Sequence, residues 1–155
     1  MQTLDELIAA APLFAGLRPE FLQTIAACGA NEHFDAGALL FREGDPAERF
    51  YLLRSGSVAL ELNAPAGGPL LIETLHAGEV IGFSWLFAPY RWGFDARARE
   101  LTRAVGFDGA CLRGKCDEDH ELGYQLMSRF ALSLTDNLEA TRLQLLDVYG
   151  HARLD

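Results

Sequence analysis

The sequence predicts a mainly β fold with flanking helices, and three observations carry that prediction. Helix-start signals occupy the first 30 residues, glycine-punctuated apolar runs fill residues 31–108, and a long apolar periodicity covers residues 117–149. A chain of 155 residues has the length of one domain, since domains run to roughly 100–200 residues. We therefore expect one domain over residues 1–155, with helices over 3–30, strands over 31–108 and a C-terminal helix over 117–149.

Two short helices are predicted before the strands. Thr3 and Glu6 have the spacing of a capping box, in which each side chain bonds the backbone N–H of the other residue at a helix start. Pro19 suits the first turn of a second helix, because the N–H that it lacks has no partner there. Gly29 follows Cys28 as a helix-ending residue, so we expect the second helix over residues 19–28.

Short apolar runs separated by tight turns predict antiparallel strands across residues 31–108. Residues 43–46 and 54–57 are turn signals, because glycine adopts positive φ and Asp or Ser bonds neighbouring backbone groups. Strands separated by turns about every 8–12 residues are typical of an antiparallel barrel or a jelly roll. Residues 97–107 are predicted to form a further strand.

Residues 117–149 are predicted to form a long helix with an apolar seam. Apolar and small residues recur there at spacings of 3 and 4, which is the 3.5-residue period of paired helices. The seam consists of Tyr124, Met127, Ala131, Leu134, Leu138, Thr141, Leu145 and Val148. Leu122, Leu126 and Phe130 lie outside the seam and are expected to pack on the domain. The seam either packs on its own domain or joins a second copy of the chain, and we expect a homodimer.

Composition and charge exclude several classes of protein. The formal net charge is −9, whereas duplex-binding surfaces depend on clustered Lys and Arg, so no nucleic-acid face is expected. Stretches without a charged residue, such as residues 7–17 and 80–90, are shorter than the about 20 apolar residues of a membrane span. The N-terminus lacks the basic segment of a signal peptide. We therefore expect no association with a membrane.

Cysteine usage indicates a reducing compartment. The three cysteines, Cys28, Cys111 and Cys116, are odd in number and contain no Cys-x-x-Cys pair. We therefore expect no disulfide framework and a cytoplasmic location. Cys111 and Cys116 lie near His120, but the paired spacing of a zinc site is missing, so no metal is expected.

No arrangement of residues suggests catalysis. The four histidines are scattered, and neither a Gly-x-Ser-x-Gly nor a His-Glu-x-x-His pattern is present. The acids in residues 117–121 are explained as a helix start, where negative charge is favourable. His76 would need a second ligand to hold a haem, and none stands out. We expect neither an enzyme nor a cofactor.

The segment over residues 78–97 has the residue types that hold a phosphorylated sugar. Gly78 is followed by the carboxylate of Glu79, a short helical stretch and two arginines, Arg91 and Arg97. Backbone N–H groups at a helix start bind anions, arginine binds phosphate oxygens through a planar fork, and a carboxylate accepts from sugar hydroxyls. The alternative is a glycine turn followed by a short surface helix.

Four short motifs that contain glycine lie between residues 34 and 82. They are Phe34-Asp35-Ala36-Gly37, Phe41-Arg42-Glu43-Gly44-Asp45, Phe50-Tyr51-Leu52-Leu53-Arg54-Ser55-Gly56-Ser57-Val58 and Gly78-Glu79-Val80-Ile81-Gly82. This framework resembles the cyclic nucleotide-binding domain of the catabolite-activator type over nearly the whole chain. The resemblance implies an antiparallel β-roll flanked by two short N-terminal helices and a long C-terminal helix. It also implies that residues 78–82 belong to a phosphate-binding cassette, in which backbone N–H groups and Glu79 hold the ribose.

One position departs from the family pattern. In that family an arginine, followed by two small residues, pairs with the cyclic phosphate. When residues 96–98 are aligned with the strand after the cassette, Trp92 occupies the arginine position and Arg91 precedes it. Because adjacent residues of a strand face opposite sides, either Arg91 reaches inward from a loop, with Arg97 in reserve, or the pocket takes another ligand or none. Trp92 then either stacks on a base or fills the pocket.

The long helix supplies the expected contact to the base. The resemblance places residues 135–137 beside the purine, where Asn137 offers both a donor and an acceptor. The alternative is a solvated helix surface. After this helix the family's transcription factors continue into a winged helix-turn-helix, whereas this chain stops, so no DNA binding is expected.

These observations predict a non-enzymatic regulatory sensor that binds a cyclic nucleotide, cAMP or cGMP, or a related anionic nucleotide. The expected site residues are Gly78, Glu79, Val80, Ile81, Gly82, Arg91, Trp92 and Asn137. Output is expected to pass to an unidentified effector protein. A ligand-free interaction module with a degenerate cassette is the second hypothesis, and a small enzyme acting on a nucleotide is the third.

Overall fold

The structure is a computed structural model that describes residues 3–64 and 67–149. Helices flank eight strands in this part of the chain. In order, the elements are α1 (Leu4–Ala10), a short 3-10 turn (Pro12–Phe14), α2 (Pro19–Ala27), β1 (Gly29–Phe34), β2 (Leu39–Phe41), β3 (Arg49–Ser55), β4 (Ser57–Ala64), β5 (Gly68–His76), β6 (Val80–Ile81), β7 (Asp95–Ala98), β8 (Thr102–Asp108), α3 (Gly109–Glu118) and α4 (His120–Tyr149).

The strands form two four-stranded antiparallel sheets. One sheet has the order β1-β8-β3-β6 and the other has the order β2-β7-β4-β5. The predicted fold class, a β-roll with two short N-terminal helices and a long C-terminal helix, is confirmed. The strand predicted over residues 97–107 is wrong in one respect, because the chain turns after Ala98 and enters the other sheet at Thr102. Apolar residues on both sides of that turn led to the prediction of a single strand.

The predicted N-terminal capping box is confirmed. The Thr3 hydroxyl accepts from the backbone N–H of Glu6 at 3.3 Å, and the Glu6 carboxylate accepts from the N–H of Thr3 at 3.1 Å. Pro19 opens α2, as predicted, and the helix ends one residue before the expected Cys28. The capping box of α1 satisfies N–H groups that a helix start leaves without intrahelical partners, whereas α2 has no side-chain cap.

The C-terminal region contains two helices where one was predicted. The side chain of Asp108 accepts from the N–H of Cys111 at 3.0 Å and begins α3, eight residues before the expected start at Asp117. Asp119 then interrupts the helical backbone, and its carboxylate accepts from the N–H groups of Glu121 and Leu122 at 3.1 and 3.2 Å. The acids of this stretch therefore end α3 and begin α4, instead of beginning a single helix.

Cys28 and Cys111 form a disulfide, contrary to the expectation of none. The end of α2 lies against the start of α3, so that the two Cα atoms are 5.8 Å apart although 83 residues separate them in sequence. Spacing along the chain gives no sign of such a pair. Cys116 is free. The cytoplasmic location stays a prediction, and this bond weighs against a strongly reducing compartment.

The core has two parts. The helices and the first sheet enclose one cluster, which includes Phe50, Trp85, Phe107 and Phe130. The second cluster lies inside the roll and includes Trp92 together with the residues Phe41, Tyr51, Val58, Ile81 and Ala96. The aromatic rings are closely packed, since the Phe50 ring stacks at 4.6 Å on Phe107 and at 4.7 Å on Trp85.

Helix α4 divides its apolar residues between the domain and the outside. Leu122, Leu126 and Phe130 are each 1% exposed and pack in the first cluster, as predicted. The seam side chains are exposed where the structure describes them: Tyr124, Met127, Ala131, Leu134, Leu138, Thr141 and Leu145. The side chain of Val148, the last predicted seam residue, lies outside the described residues, as does Gly150. Within the described residues, no helix combines the length and the apolar character that crossing a membrane requires.

Candidate functional site

A cavity of about 560 Å³ lies between the cassette segment, the second sheet and helix α4. Most of its wall is apolar, with side chains from β4, β5 and α4. The apolar wall includes Leu60, Ile72, Leu75, Phe94, Leu132 and Leu134. The polar wall comprises Glu73, Glu79, Arg129, Ser133, Asp136 and Asn137. An apolar pocket with a few convergent polar groups is the usual form of a small-molecule site.

All five predicted cassette residues lie on the wall of this cavity. Backbone hydrogen bonds to β3 hold the segment in place, because the N–H of Gly78 donates to the carbonyl of Leu53 at 2.8 Å, and the N–H of Leu53 donates to the carbonyl of Glu79 at 3.0 Å. Val80 and Ile81 continue this pairing as β6, and Gly82 follows. The sequence motif thus becomes a short backbone ridge along one side of the cavity.

Gly82 occupies a position that requires glycine. Its φ is +114°, and a Cβ atom built there would lie 2.5 Å from Cη2 of Trp92. L-residues rarely adopt this backbone conformation. The cassette backbone and the Trp92 ring are therefore in closest contact at this residue.

Three carboxylates line the cavity. The Glu79 carboxylate accepts from the backbone N–H of His76 at 2.6 Å, which fixes the side chain in the turn before β6. Burial raises the pKa of Glu73 above its usual value, and the negative charge of Glu79 adds to the rise. Asp136 contributes a third carboxylate from α4. These acids suit ligand groups that donate hydrogen bonds.

Neither cassette arginine belongs to the wall of this cavity. Arg91 is exposed, and its Nη1 donates to the carbonyl of Gly44 at 2.9 Å. Arg97 donates through Nε to the carboxylate of Glu61 at 3.0 Å and through Nη1 to the carbonyl of Gly37 at 2.9 Å. The pairing of Arg91 with a cavity phosphate, which the sequence analysis expected, is therefore not formed by this arrangement.

The backbone explains why Trp92 faces inward and Arg91 outward. Arg91 forms an isolated antiparallel bridge with Pro46, and adjacent residues of extended backbone point to opposite sides. Trp92 is 4% exposed, and its ring stacks on Phe41 with a centroid separation of 3.6 Å. It lines a second cavity of about 280 Å³, whose wall contains none of the described cassette residues. Trp92 therefore fills the roll interior and is not a wall of the larger cavity.

Helix α4 forms the wall opposite the cassette. Asn137 lies on it, as expected, together with Asp136. Thr135 does not, because it lies outside the cavity wall and its hydroxyl donates to the carbonyl of Ala131 within the helix. The structure thus brings six of the eight predicted site residues together and leaves Arg91 and Trp92 elsewhere.

Arg129 is a polar wall residue that the sequence analysis did not identify. Its Nη1 donates to the carbonyl oxygens of Leu13 and Ala15 at 3.1 and 2.6 Å, and its buried Nε has no hydrogen-bond partner among the described residues. It lies 47 residues after Gly82, and no motif distinguishes it from other helix arginines. Only the packing of α4 against the 3-10 turn indicates its place.

The roll, the cassette ridge and the flanking helix define a class of protein. The profile of the cyclic nucleotide-binding domain matches residues 31–119, which is more than half of the chain. The chain belongs to this family.

Relatives agree with this assignment. The chain is 28% identical over 131 residues to the CRP-like cAMP-activated global transcriptional regulator of Mycobacterium tuberculosis, covering 84% of this chain and 58% of that protein. The chain thus spans less than two thirds of the length of this curated relative.

Solved structures have the same fold. A Geobacter metallireducens protein assigned to the cyclic nucleotide-binding class is 29% identical, with a TM-score of 0.78 and coverage of 89% of this chain and 99% of that one. The N-terminal domain of a Streptomyces coelicolor transcriptional regulator is 25% identical, with a TM-score of 0.71 and coverage of 87% and 94%.

Proposed function

We propose that the chain is a non-enzymatic regulatory domain that binds cAMP, cGMP or a related anionic nucleotide between the cassette and α4. The observation that supports this most directly is the cavity of about 560 Å³, which falls within the roughly 300–1,000 Å³ of small-molecule sites. The Mycobacterium tuberculosis relative is described as cAMP-activated, which supports a cyclic nucleotide as the first ligand to test.

The cassette and α4 would contact different parts of the ligand. Backbone groups of residues 78–82 would approach the ligand closely, because Gly78 has no side chain to hold it away. The Glu79 carboxylate is placed to accept from ribose hydroxyls, and the amide of Asn137 can pair with a purine edge. All of these groups lie on the cavity wall. Arg91 and Trp92 do not, so we assign them no ligand contact.

A second candidate function is a ligand-free interaction module. The observation that favours it is the filled roll interior, where Trp92 stacks on Phe41 at 3.6 Å and abuts Gly82. Arg91 and Arg97 are bonded to other groups. An anion taken from water without a cationic partner is costly to bury, so this hypothesis predicts that no nucleotide binds.

Titration calorimetry with cAMP and cGMP separates the two functions. The sensor function predicts a roughly micromolar dissociation constant, about −8 kcal/mol of binding free energy, for at least one of them. Flat titrations with both, in protein shown to be folded by circular dichroism, would exclude the nucleotide function and support the interaction module. Chromatography of the same mixtures tests for catalysis, since a linear product would contradict a non-enzymatic role.

We further propose that the chain forms a homodimer through the exposed seam of α4 and passes its signal to an effector protein. Leu138 and Leu145 are 51% and 49% exposed on that seam. Replacing both by Glu should give monomers in sedimentation velocity, because a charge buried at an apolar interface is strongly unfavourable. Ala140→Glu places one such charge off the seam and is the control for a single Leu138→Glu variant. A wild-type mass that matches the double variant would rule out the interface.

A further inference from the structure

We propose that Arg129 is the residue that binds the anionic group of the ligand, in place of a cassette arginine. This inference rests on the proposed nucleotide-binding function and names the partner that the phosphate would have in the same cavity. It follows from three features of Arg129: an unpaired buried nitrogen, a fixed guanidinium orientation and the distribution of charge around the cavity.

The first feature is the unpaired Nε of Arg129. This atom is buried and lacks a hydrogen-bond partner within the part of the chain that the structure describes, although the residue lies on the wall of the cavity. Nearly all buried polar groups in proteins are hydrogen-bonded, so an exception calls for a functional explanation. An acceptor oxygen of a ligand would satisfy this N–H after a local shift that uncovers the buried nitrogen.

The second feature is the orientation of the guanidinium. The guanidinium makes two hydrogen bonds with the described residues. In both, Nη1 donates, to the carbonyl oxygens of Leu13 and Ala15. These bonds fix the planar group, and neither of them uses the Nε–Nη2 edge. That edge presents two parallel N–H donors, which match two oxygens of a phosphate or carboxylate. The donor pair is therefore held in position before the ligand arrives.

The third feature is the charge distribution of the wall. Among the described residues that line the cavity, Arg129 is the sole cation, whereas Glu73, Glu79 and Asp136 are acids. An anionic group would be repelled near the carboxylates and attracted at Arg129. The ribose hydroxyls of the same ligand would donate to Glu79. The cavity thus offers an anionic group one cationic partner, Arg129.

Binding at Arg129 would also involve the N-terminal segment. The same guanidinium joins α4 to the 3-10 turn through Leu13 and Ala15, and Pro12 and Leu13 themselves lie on the cavity wall. A ligand anion at Nε would neutralise the charge that holds this junction. Ligand binding in the cavity would therefore change the contact between α4 and the N-terminal segment.

The test compares Arg129→Gln with Arg91→Gln, using cAMP as the anionic probe and adenosine as the neutral probe. We expect Arg129→Gln to weaken cAMP binding by about 30-fold or more, since a buried charge loses its partner. Adenosine binding should change by less than about twofold. Arg91→Gln, the matched control outside the cavity, should leave both affinities unchanged. Arg129→Lys, which keeps the charge, should recover part of the cAMP affinity.

A second readout does not depend on the folding of a Gln variant. In a proton–nitrogen spectrum of the wild-type protein, the Nε–H signal of Arg129, assigned by its loss in Arg129→Lys, should shift when cAMP is added. Adenosine should leave that signal in place. The Nε–H signal of Arg91 should not respond to either probe.

The outcomes separate this inference from the proposed function. If the wild-type protein binds cAMP and only Arg91→Gln weakens it, the role of Arg129 is refuted and the sensor function stands. If Arg129→Gln weakens cAMP and adenosine equally, Arg129 has a structural role and the inference fails. If the wild-type protein binds no nucleotide, the proposed function fails and this assignment fails with it.

Discussion

Replacement of Gly82 by alanine tests how the cassette backbone packs against the Trp92 ring. Gly82 has a φ of +114°, and an added Cβ would lie 2.5 and 3.0 Å from Cη2 and Cζ3 of Trp92 and 3.3 Å from Cβ of Phe50. The ring cannot easily move aside, because Trp92 is 4% exposed and stacks on Phe41 at 3.6 Å. The variant should therefore lose stability for two separate reasons.

The two contributions can be estimated. A non-glycine residue in such a backbone region costs of order 1–3 kcal/mol. An extra methyl group in a well-packed core adds typically about 1–3 kcal/mol. Gly82→Ala should therefore lower the free energy of unfolding by about 2–6 kcal/mol, a large share of the about 5–15 kcal/mol that stabilises a typical domain.

Gly78→Ala is the matched control for the backbone contribution. Gly78 has a φ of +91°, and a Cβ there would meet nothing within 4 Å. Urea unfolding followed by circular dichroism should show a loss of about 1–3 kcal/mol for this variant. The difference between the two variants then measures the contact with the ring.

A double-mutant cycle with Trp92→Leu isolates that contact. The shorter side chain removes the ring atoms that the new methyl group would meet, so Gly82→Ala should cost about 1–3 kcal/mol less in this background. Equal losses for Gly82→Ala and Gly78→Ala, or the same loss for Gly82→Ala with and without Trp92, would refute the placement of the indole against the cassette.

Two further predictions concern the charge of the cavity and the cysteine pair. Glu73→Gln removes one of the wall's carboxylates, so cAMP affinity should rise about two- to fivefold. Because the pKa of Glu73 is raised, this difference from the wild-type protein should vanish as the pH falls below that pKa; a lower affinity at neutral pH would contradict the reasoning. The Cys28–Cys111 bond spans 83 residues, so unfolding in oxidising buffer should require about 2–4 kcal/mol more than in reducing buffer. Cys111→Ser should abolish that difference, and its persistence would show another origin.

The β-roll was predictable because its turns are local. Glycine with positive φ, at positions such as Gly37, Gly44 and Gly56, breaks the chain at intervals that only short antiparallel strands fit. The capping box at Thr3 and the heptad of α4 are local signals of the same kind. Helix α3 was missed because its ten residues include two glycines and an acidic end, so that it lacks an apolar periodicity.

The candidate site was predictable only where it is contiguous in sequence. Residues 78–82 were identified from a motif, and Asn137 from the position that the family resemblance gives it on the long helix. The direction of Arg91 depends on the bridge that pairs it with Pro46, a contact between residues 45 positions apart. Arg129 depends on the packing of α4 against the 3-10 turn. Contacts between residues so far apart along the chain produce no spacing pattern from which they could be predicted.

Aromatic packing joins the cassette to α4. Phe83 and Trp85, which follow the cassette ridge, both meet the Phe130 ring of α4 edge to face, with centroids 5.8 and 5.5 Å apart. Close-packed interiors transmit displacements instead of absorbing them. A displacement of the residue 83–85 stretch must therefore move Phe130 or open a gap beside it.

Helix α4 therefore carries three features: the exposed seam, Arg129 and the aromatic junction at Phe130. A ligand held between residues 78–82 and Arg129 contacts both sides of the aromatic junction. It can shift the position of α4 only to the extent that it binds one arrangement more tightly than another. Loss of the Arg129 contact should then reduce both the affinity for an anionic ligand and the coupling of that ligand to dimer formation. A variant altered at Leu138 and Leu145 should retain ligand binding to the cavity of its own chain, because neither side chain lies on the cavity wall.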